Sequence, residues 1–236
     1  MTEEIFRNDA YVKSCRAVVT RVDERGVQLD RTVFYPMGGG QPGDAGVLKC
    51  ADGSEIAVID CRKDRETGDH LHILKDEGHA LEVGQQVTAE IDWERRYRLM
   101  RMHSCLHVLC AVVPGAVTGG QIGDGAGRLD FDLPEATLDK EQVTAALNRL
   151  IEAGHKLSAR WITDDEMAAR PELVRTMSVK PPSGVGRVRL IEIGEVDLQP
   201  CGGTHVRSTA EIGQVIVTRI EKKGRQNRRV RVTLVQ

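Results

Sequence analysis

Two pairs of residues in this 236-residue chain have the types and spacing to share one metal ion. His103 and His107 stand four positions apart. On a helix that places both on one face, with Cβ atoms roughly 5–6 Å apart. Almost a hundred residues later, Cys201-Gly-Gly-Thr-His205 repeats the four-residue step across a glycine-rich stretch, which suits a turn that folds Cys201 and His205 towards one point. Three imidazoles and one thiolate are an ordinary tetrahedral zinc set. The residues thus point to one Zn2+ per chain held by His103, His107, Cys201 and His205, with the chemistry placed at that ion.

Those ligands need elements to hold them. Residues 93–113 carry helical periodicity, with Leu99, Met102, Leu106 and Leu109 near one face and Arg95, Arg96, Arg98 and Arg101 largely off it. Pro114-Gly115 ends the helix. Val188–Ile193 and Ile212–Ile220 read as strands flanking the Cys201 segment, and 229–235 as a closing strand. Further strands are expected at 117–121 and 127–133. Helices are expected at 138–157 and at 163–169, the latter opened by the capping pattern Thr163-Asp-Asp-Glu166. Ahead of the histidine helix, 11–33 reads as a hairpin turning at Asp23-Glu-Arg-Gly26. Short strands follow around 47–48, 56–59, 71–74 and 86–91, between turn residues. The expected class is therefore α+β: a small N-terminal β-barrel over residues 1–92, then over 93–236 a second domain whose helices pack on a mainly antiparallel sheet.

Composition narrows the function. With 40% hydrophobic and 29% charged residues the chain is an ordinary globular protein. A net charge of −2 excludes a generally basic surface, so a nucleic-acid partner would need a local patch. Aromatic residues make up only 3%, which favours backbone and charge contacts over widespread base stacking. The start Met1-Thr-Glu-Glu4 has neither a basic nor an apolar run, and no stretch approaches the ~20 apolar residues of a membrane span. A cytoplasmic protein with six reduced cysteines is expected, which leaves Cys201 free to act as a thiolate.

His103-x-x-x-His107 together with Asp197-Leu-Gln-Pro-Cys201-Gly-Gly-Thr-His205 resembles the AlaX family of freestanding alanyl-tRNA editing proteins, and the editing domain of alanyl-tRNA synthetase. Thr32-Val-Phe-Tyr-Pro-Met-Gly-Gly-Gly-Gln-Pro-Gly-Asp-Ala-Gly46 resembles the glycine-rich motif of the family's medium-length members. The resemblance implies hydrolysis of the ester that joins serine or glycine to alanine tRNA, with His103 and His107 among the catalytic residues. It also places Thr118 and Gln121 at positions similar to those lining the amino-acid pocket. A zinc ion can polarise such an ester, anchor the substrate amino group or lower the pKa of a water. Four protein ligands fill a tetrahedron, however, so turnover would require a fifth coordination position or a loosely held ligand. Two other readings fit the same residues: a tRNA-binding module with structural zinc, and the same hydrolysis on another aminoacyl-tRNA.

Two features could bind tRNA. The run Arg219, Lys222, Lys223, Arg225, Arg228, Arg229 and Arg231 contains one acid, Glu221, and reads either as a phosphate-binding patch or as a solvated hairpin. Gly38-Gly39-Gly40 could let backbone N–H groups approach a phosphate or terminal adenosine, or could be a tight barrel turn.

Overall fold

The computed structural model describes residues 2–64, 66–76, 78, 80–133, 138–174 and 186–235. The chain divides into two units, Met1–Tyr97 and Arg98–Gln236.

In the first unit, the expected hairpin is β1 (Ser14–Asp23) with β2 (Gly26–Leu29), paired through Val22↔Val27 and Asp23↔Gly26. The Asp23 carboxylate accepts the Arg25 N–H at 2.9 Å within the turn. Gly26 has φ +137°, and a Cβ there would lie 2.6 Å from the His72 carbonyl oxygen. Strands β3 (Gly46–Cys50), β4 (Glu55–Lys63), β5 (His70–Leu74) and β6 (Gln86–Ile91) complete a closed barrel in the order β1-β2-β5-β4-β3-β6. Closure leaves no unpaired edge, which a lone small sheet would expose. Val19, Val27, Leu29, Phe34, Leu48, Val58 and Ala89 fill its interior.

The glycine-rich segment has a definite shape. Gly38 and Gln41 exchange backbone hydrogen bonds of 3.1 and 2.9 Å, with Gly39 and Gly40 between them at φ +56° and +84°. A two-residue turn with both central residues in the left-handed region strongly favours glycine. Tightness of another kind governs Gly43, where a Cβ would sit 2.1 Å from the Cys61 carbonyl oxygen.

Asp44, near the end of this segment, is held by Arg96. Arg96 is fully buried, contrary to the expectation that it lies off the apolar face of its helix. Its Nε lies 2.9 Å from both Asp44 carboxylate oxygens, and Nη2 also meets that carboxylate. Nη1 donates to the Ala10 carbonyl at 3.0 Å and Nη2 to that of Val33 at 2.7 Å. Asp44 further accepts the Tyr35 N–H at 2.6 Å. A buried guanidinium is tolerable because a carboxylate matches its charge and each of its three nitrogens has an acceptor.

His72, also buried, is fixed as a neutral imidazole. Its Nδ1 faces the Val27 carbonyl at 2.9 Å and so carries the proton. Nε2 then accepts from the Thr32 hydroxyl at 2.8 Å. Burial, only partly countered by the Val27 bond, pulls its pKa from 6.5 down to about 4. Between those values the unfolded chain binds a proton that the folded chain refuses, so stability must fall as pH drops from 6.5 towards 4. At about 1.36 kcal/mol per pKa unit the loss approaches ~3 kcal/mol. Urea midpoints compared at pH 7 and pH 4.5 should show a smaller drop for His72→Gln than for the wild type; equal drops would exclude His72 as the source.

Among the described residues the second unit holds two antiparallel sheets. One runs β12-β13-β8-β7, from β7 (Val117–Ile122), β8 (Ala126–Asp132), β12 (Val215–Lys223) and β13 (Asn227–Leu234). The other comprises β9 (Leu157–Thr163), β10 (Arg187–Ile193) and β11 (Asp197–Pro200). The histidine-bearing helix α1 spans Trp93–Val112, and its expected apolar residues Leu99, Met102, Leu106 and Leu109 are buried. It packs close to β8, for a Cβ at Gly127 would lie 2.8 Å from the Met102 sulfur. Helix α2 (Lys140–Glu152) is shorter than the expected 138–157. Asp139 caps its start by accepting the Gln142 N–H, and Gly154, at φ +67°, follows its end. The side chain of Asn148 bonds both the N–H and the carbonyl of Val215, which seats α2 against β12. Helix α3 (Asp164–Ala168) opens with the expected capping box between Thr163 and Glu166. Strand β12 begins at Val215 and not at Ile212: a Ser208–Glu211 capping box starts a short 3₁₀ turn over Thr209–Ile212, which Gly213 ends at φ +70°. The architecture is α+β throughout, with a closed six-stranded barrel and antiparallel sheets.

Candidate metal centre

Helix α1 and the segment after β11 bring His103, His107, Cys201 and His205 together, with their ligand atoms all within 4.8 Å of one another. Cys201 Sγ lies 3.5 Å from His103 Nε2 and 3.2 Å from His205 Nε2. Zinc bonds of 2.3 Å to sulfur and about 2.0–2.1 Å to nitrogen set tetrahedral S···N edges at about 3.5 Å. The donor set therefore fits a metal ion in both type and spacing. The three histidines are buried, whereas Cys201 is half-buried and Gly202 exposed, which makes the cysteine side the open one.

The next layer orients the rings. His107 Nδ1 faces the buried Asp197 carboxylate at 3.2 Å, and Gln199 Nε2 donates to the same oxygen at 2.7 Å. His205 Nδ1 lies 3.2 Å from the Ser104 hydroxyl, which also accepts the Val206 N–H at 3.2 Å. Both rings thereby turn Nε2 towards the cluster, the arrangement that carboxylate and hydroxyl partners give to metal-binding imidazoles. Gly203 N–H points at Cys201 Sγ at 3.4 Å, and Arg189 Nη1 donates to the Cys201 and Gly203 carbonyls at 2.9 and 3.0 Å. Beyond His205 the chain is clamped by Leu157 N–H to the Arg207 carbonyl at 2.9 Å and by Thr209 N–H to that of His155 at 2.9 Å.

These groups are strongly coupled. Burial opposes the Cys201 thiolate, yet the neighbouring His103 and His205 outweigh it and hold the thiol well below its ordinary range. Burial likewise opposes a charged His107, but Asp197 and Cys201 overcome it and raise the ring to about 9. Burial, reinforced by His103, keeps His205 neutral. The Cys201 thiolate and the neutral His205 ring are forms that bind metal, whereas His107 must give up its Nε2 proton to join them.

The other expected site residues are Thr118, Gln121 and the residues of the glycine-rich and basic segments. Thr118 and Gln121 sit on β7. The Thr118 hydroxyl donates to the Asp130 carbonyl at 3.2 Å, and Gln121 Oε1 accepts from Arg128 Nε at 3.3 Å. Gln121 lines an open depression of about 250 Å³ with Arg128, Thr218 and Arg231. Gly38, Gly39 and Gly40 belong to the Gly38–Gln41 turn described above.

The basic run divides by partner. Arg229 holds Asp130 through two bonds of 2.7 Å, Arg219 and Arg231 meet Glu221 at 3.0 and 3.1 Å, and Arg228 is buried. Lys222, Lys223 and Arg225 stay exposed around the β12–β13 turn. If this turn contacts phosphates, Lys222→Ala with Lys223→Ala should flatten the log K versus log[salt] slope for tRNA by about 2. Unchanged slope and affinity would leave the turn as a solvated hairpin.

Asp197, Gln199, Ser104 and Arg189 were not foreseen as supports. Asp197 was within reach, because positions 197, 199 and 201 share a face if the approach to Cys201 is extended.

Comparisons with known proteins place both ends of the chain in aminoacyl-tRNA synthetase and editing families. Residues 188–231 match the family model described as the threonyl and alanyl tRNA synthetase second additional domain, and residues 4–95 that of class II (A) tRNA synthetases. The chain is 38% identical over 244 residues to the alanyl-tRNA editing protein AlaX-M of Methanosarcina barkeri, with 100% of each covered. It is 34% identical to the AlaX-M protein of Saccharolobus solfataricus, over 99% of both. It also shares 36% identity with the alanine–tRNA ligase of Pyrobaculum neutrophilum, where the match covers 94% of this chain and 25% of the ligase. The chain belongs to the AlaX family of alanyl-tRNA editing proteins. Among the described residues no helix is long and apolar enough to cross a membrane.

Proposed function

We propose that this protein removes serine, and glycine, from mischarged alanine tRNA by hydrolysing the aminoacyl ester at a zinc ion held by His103, His107, Cys201 and His205. The observation that carries this reading is the convergence of those four donors in a member of the AlaX family. Residues 1–92 act as the barrel domain and 93–236 as the editing domain. The reaction takes place in the cytoplasm.

Zinc bound there supplies a Lewis acid for the ester carbonyl or a site that anchors the substrate amino group. The chain's own groups prepare the rest. Asp197 and Ser104 fix two imidazoles so that their Nε2 atoms face inward. The Gly203 N–H supports the thiolate. Three buried histidines close the inner side, so the acceptor end enters past Cys201 and Gly202. Thr118 serves to read the serine hydroxyl, with Gln121 as its second. Its own proton is committed to Asp130, so its oxygen can only accept.

Selectivity is the demanding part, since serine and alanine differ by one hydroxyl. An apolar pocket separates such a pair by only ~10²-fold, whereas a polar one can reach about 10⁴–10⁵-fold. Alanine tRNA charged with serine, glycine or alanine should be hydrolysed in the first two cases and spared in the third. Thr118→Val should cost the serine ester ~1–3 kcal/mol in kcat/KM and leave the glycine ester nearly unchanged. No turnover on any ester would overturn the reading in favour of a binding module with structural zinc. Equal losses on the serine and glycine esters would remove Thr118 from the hydroxyl-reading role.

A further inference from the structure

An exposed tryptophan stands in line with the metal centre. Trp161, on β9, is 47% exposed in a chain with only two tryptophans. It pairs directly with Arg189 on β10. Arg189 in turn faces Cys201, because Leu190 pairs with Pro200 and the Cys201 N–H donates to the Arg189 carbonyl at 3.1 Å. Residues opposite one another across antiparallel strands point to the same face. Trp161, Arg189 and Cys201 therefore form one row on the face that also presents Asp197 and Gln199 to the site. Two strand spacings of about 4.8 Å separate the Trp161 and Cys201 backbones by about 10 Å.

The core of this sheet does not need the indole. Both faces carry apolar core, Val188 and Leu190 with Ile162, Met167, Leu173 and Leu198 on one and Leu157, Ile191 and Ile193 on the other, but Trp161 lies beyond the buried end of its own face and stays exposed. A large ring left half in water beside a reaction centre is suited to receive a flat partner. The ester of an aminoacyl-tRNA sits on the terminal ribose, so the terminal base lies one sugar ring from the reacting carbonyl. That base is unpaired and open to stacking on an aromatic side chain. The Arg189 guanidinium, between the indole and the thiolate, adds positive charge along the same row.

We propose that Trp161 is the stacking platform for the terminal nucleobase of the acceptor end, and that it positions the ester at the metal centre. This rests on the editing function proposed above and adds a substrate-positioning residue to it. Stacking of this kind contributes about 5- to 150-fold in binding when judged by alanine substitution.

The test uses the full-length, zinc-loaded chain. Trp161→Ala should lower kcat/KM for serine-charged alanine tRNA by about 5- to 150-fold, with most of the loss recovered in Trp161→Phe. Bound zinc should stay at one per chain in both variants. On a charged tRNA whose terminal nucleotide is abasic, the wild type should drop to the level of Trp161→Ala, and Trp161→Ala should drop no further. In a Trp93→Phe background, where Trp161 is the sole tryptophan, uncharged alanine tRNA should quench fluorescence saturably, and tRNA lacking its terminal nucleotide should not. Wild-type turnover together with undiminished Trp161→Ala activity would overturn the proposal, as would an equal loss on intact and abasic substrates. Absence of wild-type turnover would instead sink the editing function, and equal quenching by the two uncharged tRNAs would then reject base stacking as well.

Discussion

Asp44→Asn should destabilise the first unit by about 3–5 kcal/mol, the usual cost of leaving one partner of a buried ion pair uncompensated. The Arg96 guanidinium is wholly buried and directs Nε and Nη2 at that carboxylate. Its other donors hold the Ala10 and Val33 carbonyls, so one side chain ties together the N-terminal segment, the start of the glycine-rich stretch and α1. Asparagine keeps the shape and removes the charge, which strands a guanidinium away from water. Replacing both members by apolar residues of similar volume, as in Asp44→Leu with Arg96→Met, should recover much of the loss, because the desolvation cost leaves with the charges. Urea unfolding of the full chain, followed by fluorescence, measures both. A loss below about 1 kcal/mol in Asp44→Asn, the range of exposed ion pairs, would mean that water reaches the pair.

The second large effect is expected at Cys201. Cys201→Ala removes the one thiolate from the cluster and the half-buried ligand on its open side. Bound zinc, measured by elemental analysis after dialysis, should fall well below one per chain. Serine ester hydrolysis should fall by more than the roughly 10–100-fold that loss of an outer-layer partner typically costs. Asp197→Asn provides that comparison, since it touches His107 and is not one of the four donors. Full zinc occupancy in Cys201→Ala would remove Cys201 from the ligand set.

The four-residue cluster was legible because its signal is local twice over. The i, i+4 histidines need only a helix and the Cys201–His205 pair only a turn, and each half announces its own element. The barrel was legible for a similar reason, through short alternating strands between turn residues. Arg96 was not, because its burial depends on a carboxylate 52 residues away that periodicity cannot see. Basic residues on a helix normally face water, and here the matched charge reverses that expectation. The start of β12 was misplaced for a subtler reason: Ile212 is apolar and buried, as a strand residue would be, but the Ser208–Glu211 box captures it in a 3₁₀ turn first. In the basic run the sequence counted charges without their partners. Asp130 on β8 holds Arg229, and Glu221 inside the run itself is shared by Arg219 and Arg231, while the lysines at the turn stay exposed.

The account stands most directly on whether hydrolysis follows the metal. Serine-charged alanine tRNA should be incubated with the protein as prepared, after removal of metal by a chelator, and after return of one equivalent of Zn2+. Released serine should be strong in the first case, near background in the second and restored in the third, with folding unchanged by circular dichroism. Hydrolysis that persists in the folded, metal-free protein would contradict the assignment of the chemistry to His103, His107, Cys201 and His205.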